Sequence, residues 1–412
     1  MNRILNFVWI CLGAGTALVA AEVLLRLGAP RHEASFFTPS ADRGFAYRPN
    51  AAGWQTSEGE NYVRINSAGL KDREHTLQRP PNTIRIAVIG SSETAAMQVS
   101  PEQSFTGLLE RNLNQRLQGS PQKVETLNFG VDGYNLAQIY YTLHNHVWQY
   151  DPQIVILCYP HFLALKNIPE LSPDAPDKTR YLVFRDGKPE LDEGSRASMA
   201  RTPAARRTYW RDTLADLANR SSLLTLLNYS VVISSRKLAA LKPTAAAAPT
   251  GSGAAAKLPP DYMKWWTYLS PDDTVPPADP LLIESSRIGD QIIRLIDSEV
   301  REHGAEFRFF ALDQPLQLTP DAAAPAALMK EHGLVALDRA DRRVVDFCNQ
   351  NGIPAETLMR SLAPMIPPGA AIRGFGEERG TGHYNLLGHQ LIGEHLAATL
   401  LRNSAVLNKA VR

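Results

Sequence analysis

Ile84-Arg85-Ile86-Ala87-Val88-Ile89-Gly90-Ser91-Ser92 is the stretch that decides the fold. The residues up to Ile89 are almost all apolar and do not alternate, the pattern of a strand buried on both faces of a parallel sheet. Gly90 and two serines then stop the run. A helix is expected beyond them, because Phe105, Leu108, Leu109 and Leu113 recur at helical spacing. The rhythm repeats. Val124 to Phe129 reads as a second strand ending in Gly130-Val131-Asp132-Gly133, Asn135 to Trp148 as a helix, and Ile154 to Tyr159 as a third strand after Asp151-Pro152. Strand, helix, strand, helix, strand predicts an α/β domain of three layers, a parallel sheet covered by helices.

From about Asn167 to Ile283 this pattern dissolves into a large insertion. Tyr181 to Phe184 with the following Asp-Gly-Lys-Pro-Glu-Leu reads as a hairpin, Ser221 to Leu241 as a helix, and Pro243 to Pro260 as a low-complexity linker. The helix could cap a site, lie on a membrane, or pack on the insertion's own core. Regularity resumes with a helix bearing Ile288, Ile292, Ile293 and Ile296, a strand from Glu306 to Leu312, a helix from Arg342 to Asn351, an edge element after Gly352-Ile353-Pro354, and a last helix from Leu386 to Leu401. The expected division is 1–28, an N-terminal apolar segment; 29–80, a lead segment; 81–166 and 284–405, the two halves of the α/β domain; and 167–283, the insertion with its linker at 243–260.

The 412 residues carry 43 Lys plus Arg against 42 Asp plus Glu, a formal charge of +1. Without a polycationic surface there is no counterion release to drive nucleic-acid binding, so that partner is excluded. Cys158 and Cys348, apart from Cys11 in the apolar run, have neither the spacing of a zinc site nor the density of a disulfide framework; a single bridge between them requires a close Cα approach. Ile4 to Leu27 is interrupted only by Asn6, Thr16, Glu22 and Arg26, and is long enough to cross a bilayer. It reads as an uncleaved anchor, or as a signal peptide with Val19 and Ala21 before the cleavage site. Either places the main domain outside the cytoplasm.

Three turns could carry chemistry. Ser92 stands at a strand's carboxyl end before a helix N-terminus, where N–H groups and the helix dipole stabilise a developing oxyanion. The same turn also suits a phosphate cradle or a plain helix cap. Asn128 to Asn135 ends the second strand with glycines that let a ligand approach the backbone. Gly382-His383-Tyr384-Asn385 opens the last helix; His389 and His395 on that helix read as ordinary core or surface histidines.

These segments occur in the order of the blocks of the SGNH (GDSL) hydrolases, which the chain resembles. Gly90-Ser91-Ser92-Glu93-Thr94 looks like their first block, with Ser91 where Asp is usual and Ala96 where Gly is usual. The glycine of "NFGVDGYN" matches at Gly133, and "GHYNLLGH" resembles the last block. The segments "YRPNAAGW" and "VRINSAGLKDRE" resemble the lead-in of membrane-anchored members. The resemblance implies a flavodoxin-like α/β fold, Ser92 as nucleophile, His383 as base, the N–H groups of Ser92 and Gly133 as oxyanion donors, and no metal or cofactor. The implied partner is an ester-bearing small molecule or acylated polysaccharide. Two departures stand out. The asparagine expected after the third strand is missing, with His161 or Asn167 as substitutes. The acid expected just before His383 is replaced by Gly380 and Thr381, leaving Glu377 or Glu378 to serve. A non-catalytic glycan-binding or scaffolding relative, or a flavodoxin-like cofactor binder, is the competing reading.

Overall fold

The computed structural model describes residues 2–28, 31–160, 167–171, 179–201, 205–227, 280–313, 317–321, 323–332, 336–376 and 379–411. Helix α1 (Asn2–Gly28) is followed by two antiparallel hairpins, β1 (Phe37–Ser40) with β2 (Gly44–Tyr47) and β3 (Ala52–Gln55) with β4 (Asn61–Arg64). The sheet proper begins at β5 (Thr83–Gly90), then the single turn α2 (Ser92–Ala95), α3 (Phe105–Arg116), β6 (Lys123–Asn128), α4 (Leu136–Thr142) and β7 (Ile154–Pro160). The described part of the insertion holds the hairpin β8 (Leu182–Arg185) and β9 (Lys188–Leu191), α5 (Glu193–Arg201), α6 (Ala205–Arg220) and a short helix at 222–227. The domain resumes with α7 (Pro280–Glu302), β10 (Glu306–Leu312), α8 (Arg339–Gln350), β11 (Ala355–Thr357) and α9 (Leu386–Asn403).

The five-stranded sheet has the order β11-β10-β7-β5-β6, every pair parallel. Alternation along β5 divides the core. Ile84, Ile86 and Val88 pack with α3 and α9, whereas Ala87 and Ile89 face α4, α7 and α8. This is the three-layer α/β arrangement read from the sequence. Each strand was legible because burial on both faces leaves a continuous apolar run. The β8–β9 hairpin also forms where expected, turned by Asp186 and Gly187, both at positive φ. Helices α5 and α6 were not foreseen. The linker at 243–260 and residues 228–241 of the expected helix lie outside the described residues. Cys158 and Cys348 are both buried and unpaired.

The exception in the apolar run, Arg85, is completely buried and explains how the lead segment is attached. Its guanidinium pairs with Glu125 at 2.7 Å and donates to the carbonyls of Leu77, Thr76 and Tyr150 at 2.7–2.8 Å. A charge removed from water persists only with such partners. Beside it, His75 is enclosed between Asp72 and Glu125 at 3.1 and 2.7 Å. Burial of the ring opposes its charge, but the two carboxylates prevail and push its pKa up to about 9.

At Gly90 a side chain has no room: a Cβ would lie 2.1 Å from Thr94 Oγ1 and 2.5 Å from the Cys158 carbonyl oxygen. Gly90→Ala is therefore expected to destabilise the fold by about 1–3 kcal/mol through overpacking, measured as a lower urea midpoint at unchanged slope.

Candidate active site

Between Thr83 and Val99 every residue is buried except Ser92. The strand ends, the chain turns through one helical turn, and Ser92 alone reaches the surface. Ser91 occupies the cap position but makes no side-chain capping bond, and its buried hydroxyl has no partner among the described residues. The serines here do not act as helix caps. Ala96 ends the turn in the left-handed region at φ 51°, a conformation that costs alanine about 1–2 kcal/mol and glycine little. Its carbonyl is held at 2.8 Å by the Nζ of Lys71, a lysine that burial pushes down to about 7.

Glu93, next to Ser92, ties this turn to the C-terminal loop. The buried Arg373 guanidinium donates to Glu93 at 2.6 Å, to the Gly382 carbonyl at 2.8 Å, and to the carboxylate and backbone oxygen of Asp313 at 3.0 and 2.5 Å. Asp313 directly follows β10, and the Tyr384 hydroxyl donates to its other oxygen. The Tyr384 N–H points at Glu93, 3.4 Å away. Thus the residues adjoining Ser92 and those flanking His383 converge on one cation at the carboxyl ends of the strands. The His-x-Asn spacing also has a local cause. His383 faces the site, Tyr384 enters the core, and the Asn385 side chain caps α9 by accepting from the Leu387 and Gly388 N–H groups.

The carboxylate partner of His383 comes from the lead segment. Glu58 Oε2 lies 2.6 Å from His383 Nδ1 and accepts the His383 backbone N–H at 3.0 Å. Gly382, at φ 66°, makes the approach possible: a Cβ would sit 2.8 Å from Glu58 Oε1. Burial disfavours the imidazolium, but Glu93, the Glu58 hydrogen bond and charge, and Asp132 outweigh it, so His383 is pushed up to about 9. Burial likewise opposes the Glu58 carboxylate, yet its hydrogen bond and charge pairing with His383 hold it below the usual carboxylate range. No sequence signal near His383 could have found Glu58, since 325 positions separate the pair.

The remaining candidates fall as follows. Gly133 has φ 82°, and among the described residues neither its N–H nor that of Ser92 donates to another protein atom. The Ser92 hydroxyl and the His383 ring are not hydrogen-bonded to each other; they share the neighbours just described. The Asn167 amide donates to the Ser285 carbonyl on α7 at 3.4 Å, away from any role shown at this turn. His161, Glu377 and Glu378 lie outside the described residues. His389 is a core histidine, as expected: burial pushes it down to about 3 and its Nδ1 accepts the Phe105 N–H. His395 pairs with Glu356. Among the described residues no His, Cys, Asp and Glu cluster could hold a metal ion.

No family model matches the chain, and no curated protein matches it. Among solved structures it is similar to a lipase/acylhydrolase from Enterococcus faecalis, at 11% identity and TM-score 0.34, covering 77% of this chain and 95% of that one. It is similar too to the acetyl xylan esterase AlAXEase, at 9% identity and TM-score 0.34, covering 77% of this chain and 100% of that one. Similarities this remote assign neither a family nor an activity.

Arg373→Met would leave Glu93 and Asp313 buried without their cation and is expected to lower the unfolding free energy by about 3–5 kcal/mol. Arg373→Lys should recover only part, because an ammonium cannot reproduce the fork that reaches three segments. Denaturant unfolding of both variants measures this.

Proposed function

We propose that the chain is a serine esterase of SGNH type held at a membrane surface, with Ser92 as nucleophile, His383 as general base and Glu58 as the carboxylate that orients the imidazole. The observation that carries this reading is the exposure of Ser92 alone from a buried turn whose next residue reaches the backbone beside His383. With Nδ1 on Glu58, Nε2 is the nitrogen left to receive a proton from Ser92. Catalytic hydrogen bonds are commonly long without substrate and close when it binds.

The chemistry is acyl transfer. Ser92 Oγ attacks the ester carbonyl carbon as His383 takes the hydroxyl proton. The N–H groups of Ser92 and Gly133 stabilise the oxyanion. Its collapse breaks the bond to the alcohol, which leaves with the proton from His383. Water, deprotonated by the same imidazole, then attacks the acyl-serine; the acid departs and Ser92 regains its proton. No asparagine supplies a third donor in this scheme, and one such donor is worth about 10²–10³ in rate, so slow turnover is expected. The substrate class is an ester-bearing small molecule or an O-acylated glycan. The span Arg3–Gly28, with mean hydropathy 2.0 and none of it buried, is long and apolar enough to act as the anchor, and the site is proposed to lie on the exported side.

A glycan-binding or scaffolding protein that keeps the fold is favoured by one observation: the Ser92 hydroxyl is not bonded to His383. The test is a fluorophosphonate probe with the detergent-solubilised full chain. The esterase reading expects labelling, abolished with p-nitrophenyl acetate turnover in Ser92→Ala; polysaccharide binding without labelling would establish the alternative.

The pKa of His383 sets a pH profile. The base form is neutral and the pKa lies near 9, so kcat/KM should rise with pH and level off only above about 9. Glu58→Gln removes one carboxylate that favours the imidazolium. It should shift that rise to lower pH and reduce kcat by about 10²-fold or more with little change in KM. A profile unmoved by Glu58→Gln would remove Glu58 from the mechanism.

A further inference from the structure

Helix α6 turns polar residues inward and large apolar residues outward. Its inward face is polar: Asp212 accepts from Thr38 Oγ1 at 2.9 Å, Asp216 from the Arg48 guanidinium at 2.8 and 3.0 Å, and Asn219 exchanges two hydrogen bonds with the Ser35 backbone. Its outward face carries Leu214 and Leu217, 65% and 52% exposed, beside Trp210. The stripe continues into the helix at 222–227, where Leu224 and Leu227 are 42% and 54% exposed. Helices on soluble domains place these faces the other way round. Exposed apolar area costs roughly 25 cal/mol per Å² against burial, so cover of a stripe of four leucines by an apolar neighbour is favourable.

The surroundings of the stripe indicate which neighbour. At the junction of the two helices, Glu22 of the apolar α1 accepts from the Ser222 and Leu223 N–H groups and the Ser221 hydroxyl at 2.9–3.0 Å. Arg26, one turn further along α1, pairs with Glu22 at 2.7 Å and donates to the Arg220 carbonyl at 2.6 Å. A carboxylate in an apolar span is costly unless satisfied in this way. The stripe is thus bolted to the place where α1 ends. Beside it opens a cleft of about 530 Å³ lined by Arg26, Arg31, Trp54 and Arg220, in which Arg26 pairs with Glu22 and Arg31 with Glu60.

We propose that α6 and residues 222–227 lie along the headgroup layer of the bilayer that α1 crosses, with the leucines in the acyl boundary. This rests on the membrane-anchored reading of α1. Such a helix sinks its apolar face by about 5–10 Å.

The test uses the full chain in phosphatidylethanolamine/phosphatidylglycerol vesicles. An environment-sensitive fluorophore is placed on the native, exposed Cys11, or on Leu217→Cys in a Cys11→Ser background; the other cysteines are buried. Quenching is read with shallow and deep doxyl-labelled lipids and with aqueous iodide. The expected result is strongest deep quenching at Cys11 and strongest shallow quenching at Leu217→Cys, with emission there shifted to the blue; Leu214→Cys should repeat it. Lipid quenching at Cys11 with iodide quenching at Leu217→Cys would overturn the docking and leave the anchor standing. Protection of Leu217→Cys from both quenchers would overturn it in favour of cover by the chain itself or a second copy. Lipid quenching at neither position would remove anchor and docking together.

Discussion

A single buried cation holds the candidate-site end of this molecule together. The Arg373 guanidinium has essentially no contact with water, and its donors reach three separated pieces of chain: the turn after β5 through Glu93, the end of β10 through Asp313, and the loop before α9 through Gly382. The Tyr384 ring covers it at 3.8 Å, adding a cation–π contact in a desolvated setting. Every partner is needed to offset the desolvation of the others. The turn carrying Ser92 and the loop carrying His383 are consequently held in one place by the same charge.

The lead segment is the second element of this construction. Its side chains reach the rim of the sheet at several points: Asn61 and Lys71 hold carbonyls of the chain after α2, Tyr47 accepts the Asp132 N–H, and Asp72 accepts the Asn128 N–H. Glu58 belongs to this set and is the member that meets His383. The carboxylate beside His383 is thus supplied across the rim by a distant part of the chain. The same electrostatic logic of paired, enclosed charges recurs at Arg85, Glu125 and His75.

Much of this was legible from sequence, for identifiable reasons. Strands β5, β6, β7 and β10 announce themselves as apolar runs because helices cover both faces of the sheet. Gly90 and Asn385 are local requirements, a close approach and a helix cap, and local requirements leave local marks. Glu58 and Arg373 leave none, because their partners are distant in the chain and a lone Glu or Arg looks like any surface charge. Helix α6 was hidden for a different reason. Its leucines face outward and its Asp and Asn residues inward, so the usual rule for locating a core-facing helix points the wrong way.

The origin of Glu58 has a practical corollary for anyone dissecting the protein. A fragment cut to begin at β5 would retain the whole sheet, the Ser92 turn and the final helix, and would pass for a minimal catalytic unit. It would nonetheless have discarded the counter-charge of its own imidazole, along with the lysine and asparagine that brace the neighbouring loop. Silence from such a fragment would therefore say nothing about the role proposed for Ser92.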